Sequence, residues 1–153
     1  METKNHMRIV FDSRPQNEGF ARMAVAAALL PLNPTLEEMS DVKTAVSEAV
    51  TNAVIHGYEQ GEGEILLEMT IEENEIMIRI EDFGTGIRDI KKAMEPLYTS
   101  RPDLERSGMG FAFMEAFMDE LKVESSPGRG TQIVMKKTMG SREETYGSDD
   151  IFN

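Results

Sequence analysis

The chain has 153 residues, a length that fits one domain. It has no cysteine and only two histidines, which excludes a disulfide framework, a thiolate zinc site and a cysteine nucleophile and argues against a metal centre built on imidazoles. Sixteen basic residues against 28 acidic ones leave a net charge of −12, so the surface repels nucleic acid and anionic membrane and attracts a basic partner.

Met7, Ile9 and Phe11 alternate with Arg8 and Asp12, which predicts a strand. Ser13-Arg14-Pro15-Gln16 reads as a capping box with Ser13 as N-cap, opening an alanine-rich helix to about Leu30, where Pro31 and Pro34 stop it. Thr35-Leu36-Glu37-Glu38 is a second capping box. Its helix can run to Gly57, which stands where a C-terminal glycine belongs. Glu64 to Glu72 and Glu75 to Glu81 are alternating runs joined at Glu73-Asn74, a hairpin. Asp82 to Gly86 is a glycine-punctuated loop, and Ile90 to Met94 a short helix. Glu95 to Gly110 loses any period and reads as a long loop, a feature that in compact domains is usually functional. Phe111 to Glu120 is helical, and Leu121 to Ser125 and Thr131 to Lys137 form a second hairpin around Pro127-Gly128-Arg129-Gly130.

These elements predict an α+β two-layer sandwich, a mostly antiparallel mixed sheet with helices on one face. One domain is expected over residues 1–138, followed by a disordered acidic tail over 139–153. Met1 to His6 is polar, and no apolar stretch approaches the ~18 residues that span a bilayer. No membrane association and a cytoplasmic location are therefore expected.

Three short patterns carry chemistry. On the second helix, Met39, Val42, Val46, Ala49, Val50 and Ala53 form the apolar stripe. Asp41, Thr44, Glu48 and Asn52 share a different face, with Glu48 and Asn52 one turn apart. A carboxylate beside an amide can hold a hard cation or orient a hydroxyl; the plainer alternative is a solvated helix face. In Asp82-Phe83-Gly84-Thr85-Gly86, the two glycines let backbone approach a ligand, or simply make a turn. The letters imitate the DFG of eukaryotic-type kinases, but the Gly-rich loop, strand lysine and H-R-D loop of those enzymes are missing. In Ser107-Gly108-Met109-Gly110-Phe111 a glycine pair opens a helix, leaving N–H groups for phosphate or forming a hinge. No GxxxxGK[ST] occurs, which excludes a P-loop.

Taken in order, Glu48-x-x-x-Asn52, Asp82-x-Gly84-x-Gly86 and Gly108-x-Gly110 resemble the Bergerat ATP-binding superfamily of histidine kinases, gyrase B subunits, Hsp90 chaperones and MutL proteins. The likeness covers about Met7 to Lys137. Within that superfamily, Gln16 to Arg22, Val46 to Tyr58 and Leu104 to Phe111 resemble the sporulation anti-sigma kinases of bacilli; the general stress anti-sigma kinases match less well. Tyr98-Thr99-Ser100-Arg101 departs from the family's Phe-Thr-Thr-Lys.

The resemblance implies an ATP-dependent serine kinase that sequesters a sigma factor and phosphorylates an anti-anti-sigma protein, working as a homodimer. It implies that Asp82 accepts a hydrogen bond from the adenine amino group, that Asn52 coordinates Mg²⁺ and that Glu48 is the general base on the substrate serine. Gly84 and Gly86 would let the chain pass under adenine. Thr99 to Gly110 would form a lid over the phosphates of ATP or ADP, with Thr99, Ser107, Gly108, Met109 and Gly110 in contact with nucleotide and Arg106 near the γ-phosphate. Arg22, with Glu18 one turn earlier, would touch the sigma factor; the alternative is an exposed ion pair. His56 is expected to cap or pack rather than accept phosphate. A nucleotide-switched binding module that transfers no phosphate is the competing class.

Overall fold

The computed structural model describes residues 4–58, 62–87, 90–95 and 110–140. Its elements are β1 (Lys4–Asp12), α1 (Asn17–Leu29), a 3-10 turn (Leu30–Leu32), α2 (Leu36–Asn52), a π-helical turn (Ala53–Gly57), β2 (Glu64–Glu72), β3 (Glu75–Asp82), α3 (Ile90–Ala93), α4 (Gly110–Phe117), β4 (Glu120–Ser126) and β5 (Gly130–Thr138).

The five strands form one sheet in the order β1-β2-β3-β5-β4. Every ladder between described strands is antiparallel, so the expected mixed character is absent there. The pleat sends alternate side chains to one face. Ile65, Leu67, Met69 and Ile71 of β2, Ile76, Ile78 and Ile80 of β3, and Ile133 and Met135 of β5 all point into the core. Fully burying each such side chain stabilises the fold by ~1.5–3 kcal/mol. The helices cover that face, with α2 in the centre between α1 and α4. Val25 and Leu29 of α1, Val42, Val46 and Val50 of α2, and Met114 of α4 complete the core.

Local signals hold at the start of α2. Thr35 Oγ1 accepts from Glu38 N–H at 3.0 Å, and Glu38 Oε1 accepts from Thr35 N–H at 3.0 Å, a closed capping box. The first capping box does not form. The Ser13 N–H extends the β1–β2 ladder to the Gly63 carbonyl (2.8 Å) and its hydroxyl turns inward, where it makes no hydrogen bond among the described residues. Helix α1 starts at Asn17, with Gln16 at the N-cap making no side-chain cap bond.

Three boundaries move. Helix α2 does not run to Gly57 as a regular α-helix; its last turn widens to π geometry. Helix α4 ends at Phe117, because Asp119 N–H already bonds the Lys136 carbonyl (2.8 Å) at the entry to β4. Met139, assigned to the tail, is fully buried; its N–H bonds Asn74 O (2.7 Å) and its carbonyl accepts from Asn74 Nδ2 (2.9 Å). Gly140 N–H reaches Glu38 Oε2 at 3.1 Å, so the packed chain runs two residues past the expected boundary. The remainder of the tail, 141–153, lies outside the described residues.

Candidate functional site

The site is built where the C-terminal end of α2 meets the end of β3. Asp82 falls in the inward row of Ile76, Ile78 and Ile80, so the strand period aims its carboxyl at the helices and leaves it 3% exposed. The widened turn after Asn52 brings Gly57 against it. A Cβ at Gly57 would lie 2.7 Å from Asp82 Cγ. Gly57 is therefore required by close approach, not by the left-handed conformation of a helix-terminating glycine. The π turn is defined by Tyr58 N–H bonding the carbonyl of Ala53, five residues back, at 3.1 Å. Single π turns of this kind recur at functional sites.

Burial raises the pKa of Asp82. Hydrogen bonds from the backbones of Gly84 and Thr131 oppose the rise, and the nearby Glu81 charge adds to it. Gly84 N–H reaches Oδ1 at 3.0 Å. A buried carboxyl held this way can accept a hydrogen bond from an amino group presented to it.

The loop after Asp82 is threaded between two walls of backbone. A Cβ on Gly84 would sit 1.8 Å from the Gly57 carbonyl oxygen, and one on Gly86, at φ 78°, 2.1 Å from that of Ser126. Protein backbone already explains both glycines. Thr85 N–H bonds Gly57 O (2.7 Å), its hydroxyl bonds His56 O (3.1 Å), and its carbonyl accepts from Gly128 N–H (2.6 Å). His56 thus serves the loop through its carbonyl.

Glu48 and Asn52 do not lie on a solvated face. Helix α2 is covered on both sides, Asn52 is 9% exposed, and Glu48 is half-buried. A Cβ on Gly110 would stand 3.2 Å from Glu48 Oε1, so glycine lets the first turn of α4 approach that carboxylate. The structure thus brings Gly110 to Glu48, and Asp82, Gly84 and Gly57 to one another, at the end of the helix that carries Asn52. Thr99, Arg106, Ser107, Gly108 and Met109 lie outside the described residues.

Glu18 and Arg22 belong to another surface. Arg22 Nη1 is 3.6 Å from Glu18 Oε2, and the Ser47 hydroxyl donates to the same oxygen, so Glu18 ties α1 to α2. Arg22 also lines a groove of about 360 Å³ with Leu36, Met39, Ser40, Lys43, Thr44 and Ser47, which includes neither Glu48, Asn52 nor Asp82.

Two buried or half-buried residues escaped the sequence reading. Thr131, on β5, stands opposite Asp82 in register and is buried beside it. Tyr58 bridges the loop and β2. Each is distant in sequence from the residue it serves; only the spacing of Thr131 in the β5 pattern, two before Ile133, marked it as inward-facing.

This arrangement, a carboxyl buried at a strand end under the last turn of a central helix that carries an acid and an amide, defines a histidine kinase-like ATPase domain. The family model of that description matches residues 11–137. An anti-sigma F factor of Clostridium novyi is 59% identical over 140 residues, covering 91% of this chain and 98% of that protein. Anti-sigma F factors of Clostridium botulinum (62% over 135 residues, 88% of this chain and 94% of that one) and Clostridium acetobutylicum (57% over 141 residues, 92% and 99%) are similar to it as well. The crystal structure of RsbU and RsbW domains from Mycobacterium tuberculosis shares the fold, with TM-score 0.64 at 20% identity over 88% of this chain and 32% of that longer one. The chain belongs to the anti-sigma F factors, within the histidine kinase-like ATPase domains.

Proposed function

We propose that the protein is an ATP-dependent serine kinase and anti-sigma factor that sequesters a sporulation sigma factor and phosphorylates an anti-anti-sigma protein on serine. The observation that carries this is Asp82, a carboxyl buried at 3% exposure at the foot of the helix that bears Glu48 and Asn52. Asp82 would accept from the adenine amino group, with Gly84 and Gly86 beneath the base. Gly110, at the start of α4, would offer its N–H to phosphate, joined from the lid by Thr99, Ser107, Gly108 and Met109, with Arg106 at the γ-phosphate.

Asn52 offers a hard amide oxygen, and Glu48, one turn earlier, is kept for the proton. No group of three histidine or acidic side chains that could hold a metal ion occurs among the described residues, and a single amide oxygen fits a Mg²⁺ that fills its shell from phosphate and water. Bound at Asn52, the ion would neutralise phosphate charge that a protein of net charge −12 otherwise repels. In the transfer, the serine oxygen forms a bond to the γ-phosphorus as the bond to the β,γ-bridging oxygen breaks, ADP leaves, and Glu48 takes the serine proton.

Glu18 and Arg22 would contact the sigma factor across the α1–α2 groove. Phe20 and Met23 of α1 and Leu30 of the 3-10 turn after it are exposed apolar side chains, Phe20 lying edge-on to Phe11 of the edge strand β1, which supports a homodimer. No helix among the described residues is long and apolar enough to cross a membrane, and the reading locates the protein in the cytoplasm, where sigma factors act.

The test is transfer of radiolabelled γ-phosphate to the acceptor protein, with sigma binding measured in parallel. Labelled phosphoserine is the expected product. Nucleotide-dependent sigma binding with no transfer would make the protein a switched binding module instead. Analytical ultracentrifugation should give twice the 17.2 kDa chain mass.

A further inference from the structure

Tyr58 is the residue immediately after the π turn, and its hydroxyl makes two bonds at once. It donates to the Glu64 carbonyl at 2.7 Å and accepts from the Phe83 N–H at 2.8 Å. A phenol can do both from a single oxygen. The ring lies over Gly63, where a Cβ would fall 2.3 Å from Tyr58 Cε1, so no larger residue fits beneath it. One side chain therefore joins three segments: the end of the α2 layer, the start of β2, and the peptide that follows Asp82.

The Thr131 backbone also bonds the Asp82 carboxyl, and the other ties of this loop act further along. Gly57 O and Gly128 N–H hold Thr85, and Gly84 N–H bonds the Asp82 carboxyl itself. The Asp82 backbone is paired with Ile65 of β2 and Thr131 of β5, and the Tyr58 hydroxyl adds the tie at the Phe83 N–H, the first residue past the strand on which the Asp82 side chain is mounted. Burial raises the pKa of the phenol, so it keeps its proton, and its donor function, across the neutral range.

We infer that Tyr58 is a positioning residue for base recognition: its hydroxyl clamps the Asp82–Phe83 peptide so that the buried carboxyl faces the exocyclic amino group of adenine. This rests on the ATP-site reading above. Tyr58 itself touches no nucleotide in that reading; it acts through Asp82.

The test is Tyr58→Phe, which keeps the ring over Gly63 and removes both bonds. Calorimetry with Mg·ADP and Mg·GDP separates positioning from general stability, because guanine carries a carbonyl where adenine carries the amino group. Wild type should prefer ADP. In Tyr58→Phe, ADP affinity should fall roughly tenfold while GDP affinity stays put, since two neutral hydrogen bonds are at stake. An unchanged ADP/GDP ratio overturns the inference, whatever happens to the melting temperature. A wild type without preference for ADP overturns the ATP-site reading and the inference with it. Amide exchange of the wild-type protein tests the clamp without any variant: the Phe83 amide should exchange slowly, and more slowly with ADP bound. Exchange of that amide at the rate of a free loop overturns it.

Discussion

Asp82 is a buried carboxyl that, in the proposed site, would accept from adenine. Its pKa is raised by burial, so the ionised form is disfavoured in the folded state. A group raised in this way stabilises the fold fully below its ordinary value of 3.8 and loses that contribution as pH rises through the folded value. Asp82→Asn replaces a carboxyl whose ionised form burial disfavours with an amide that carries no charge at any pH. The nucleotide-free variant should therefore melt no lower than wild type at pH 7, while ADP affinity falls by ~10- to 100-fold because the amide can present a donor where adenine needs an acceptor. Calorimetry and thermal melts on the same sample check both halves; a large drop in melting temperature would make Asp82 a structural residue. Gly57→Ala should act oppositely in origin. Its methyl would meet the Asp82 carboxyl at 2.7 Å, costing ~1–3 kcal/mol of stability together with nucleotide binding. For Glu48→Gln, size and hydrogen bonding survive but the proton acceptor is gone. Single-turnover phosphoryl transfer should slow by at least ~100-fold, with ADP and sigma affinities near wild type. An unchanged rate would remove Glu48 from the chemistry.

At the scale of elements, the outer face of the sheet carries a charge cluster centred on Glu68. Glu68 on β2 bonds His6 Nε2 at 2.6 Å on one side and Arg79 Nε at 2.8 Å on the other, with Arg8 at 3.4 Å. The His6 and Arg79 bonds hold its pKa down at about 2, against an ordinary 4.5. A depressed carboxylate stabilises the fold above its ordinary pKa and loses that contribution as pH falls through the folded value, here between about 4.5 and 2. Glu68→Gln should therefore flatten the decline of stability over that window, read as denaturation midpoints at a series of pH values. An identical pH profile would mean the cluster is spectator charge. At the head of α2, Thr35→Ala opens the capping box and should cost about 1 kcal/mol in a chemical melt.

Across the whole molecule, what was legible in the sequence is what short-range physics dictates. The alternation of Ile76, Ile78 and Ile80 marks β3 because a strand side chain's direction depends only on the parity of its position. Thr35 with Glu38 marks the start of α2 because a cap is closed within four residues. The spacings Glu48 to Asn52 and Asp82 to Gly86 carried the family likeness for the same reason. Ser13 misled because its local pattern was right, yet the ladder to Gly63, fifty residues away, claimed its backbone and turned its hydroxyl inward. Met139 looked like tail until Asn74 supplied partners for both its backbone groups. The tertiary structure alone decided that Gly57 is glycine because Asp82 lies against it, that Glu48 meets Gly110, and that Tyr58 reaches Phe83 from 25 positions away. Each of these depends on two segments brought together by sheet closure and helix packing, and contacts between distant segments leave no period, cap or spacing in the chain that makes them.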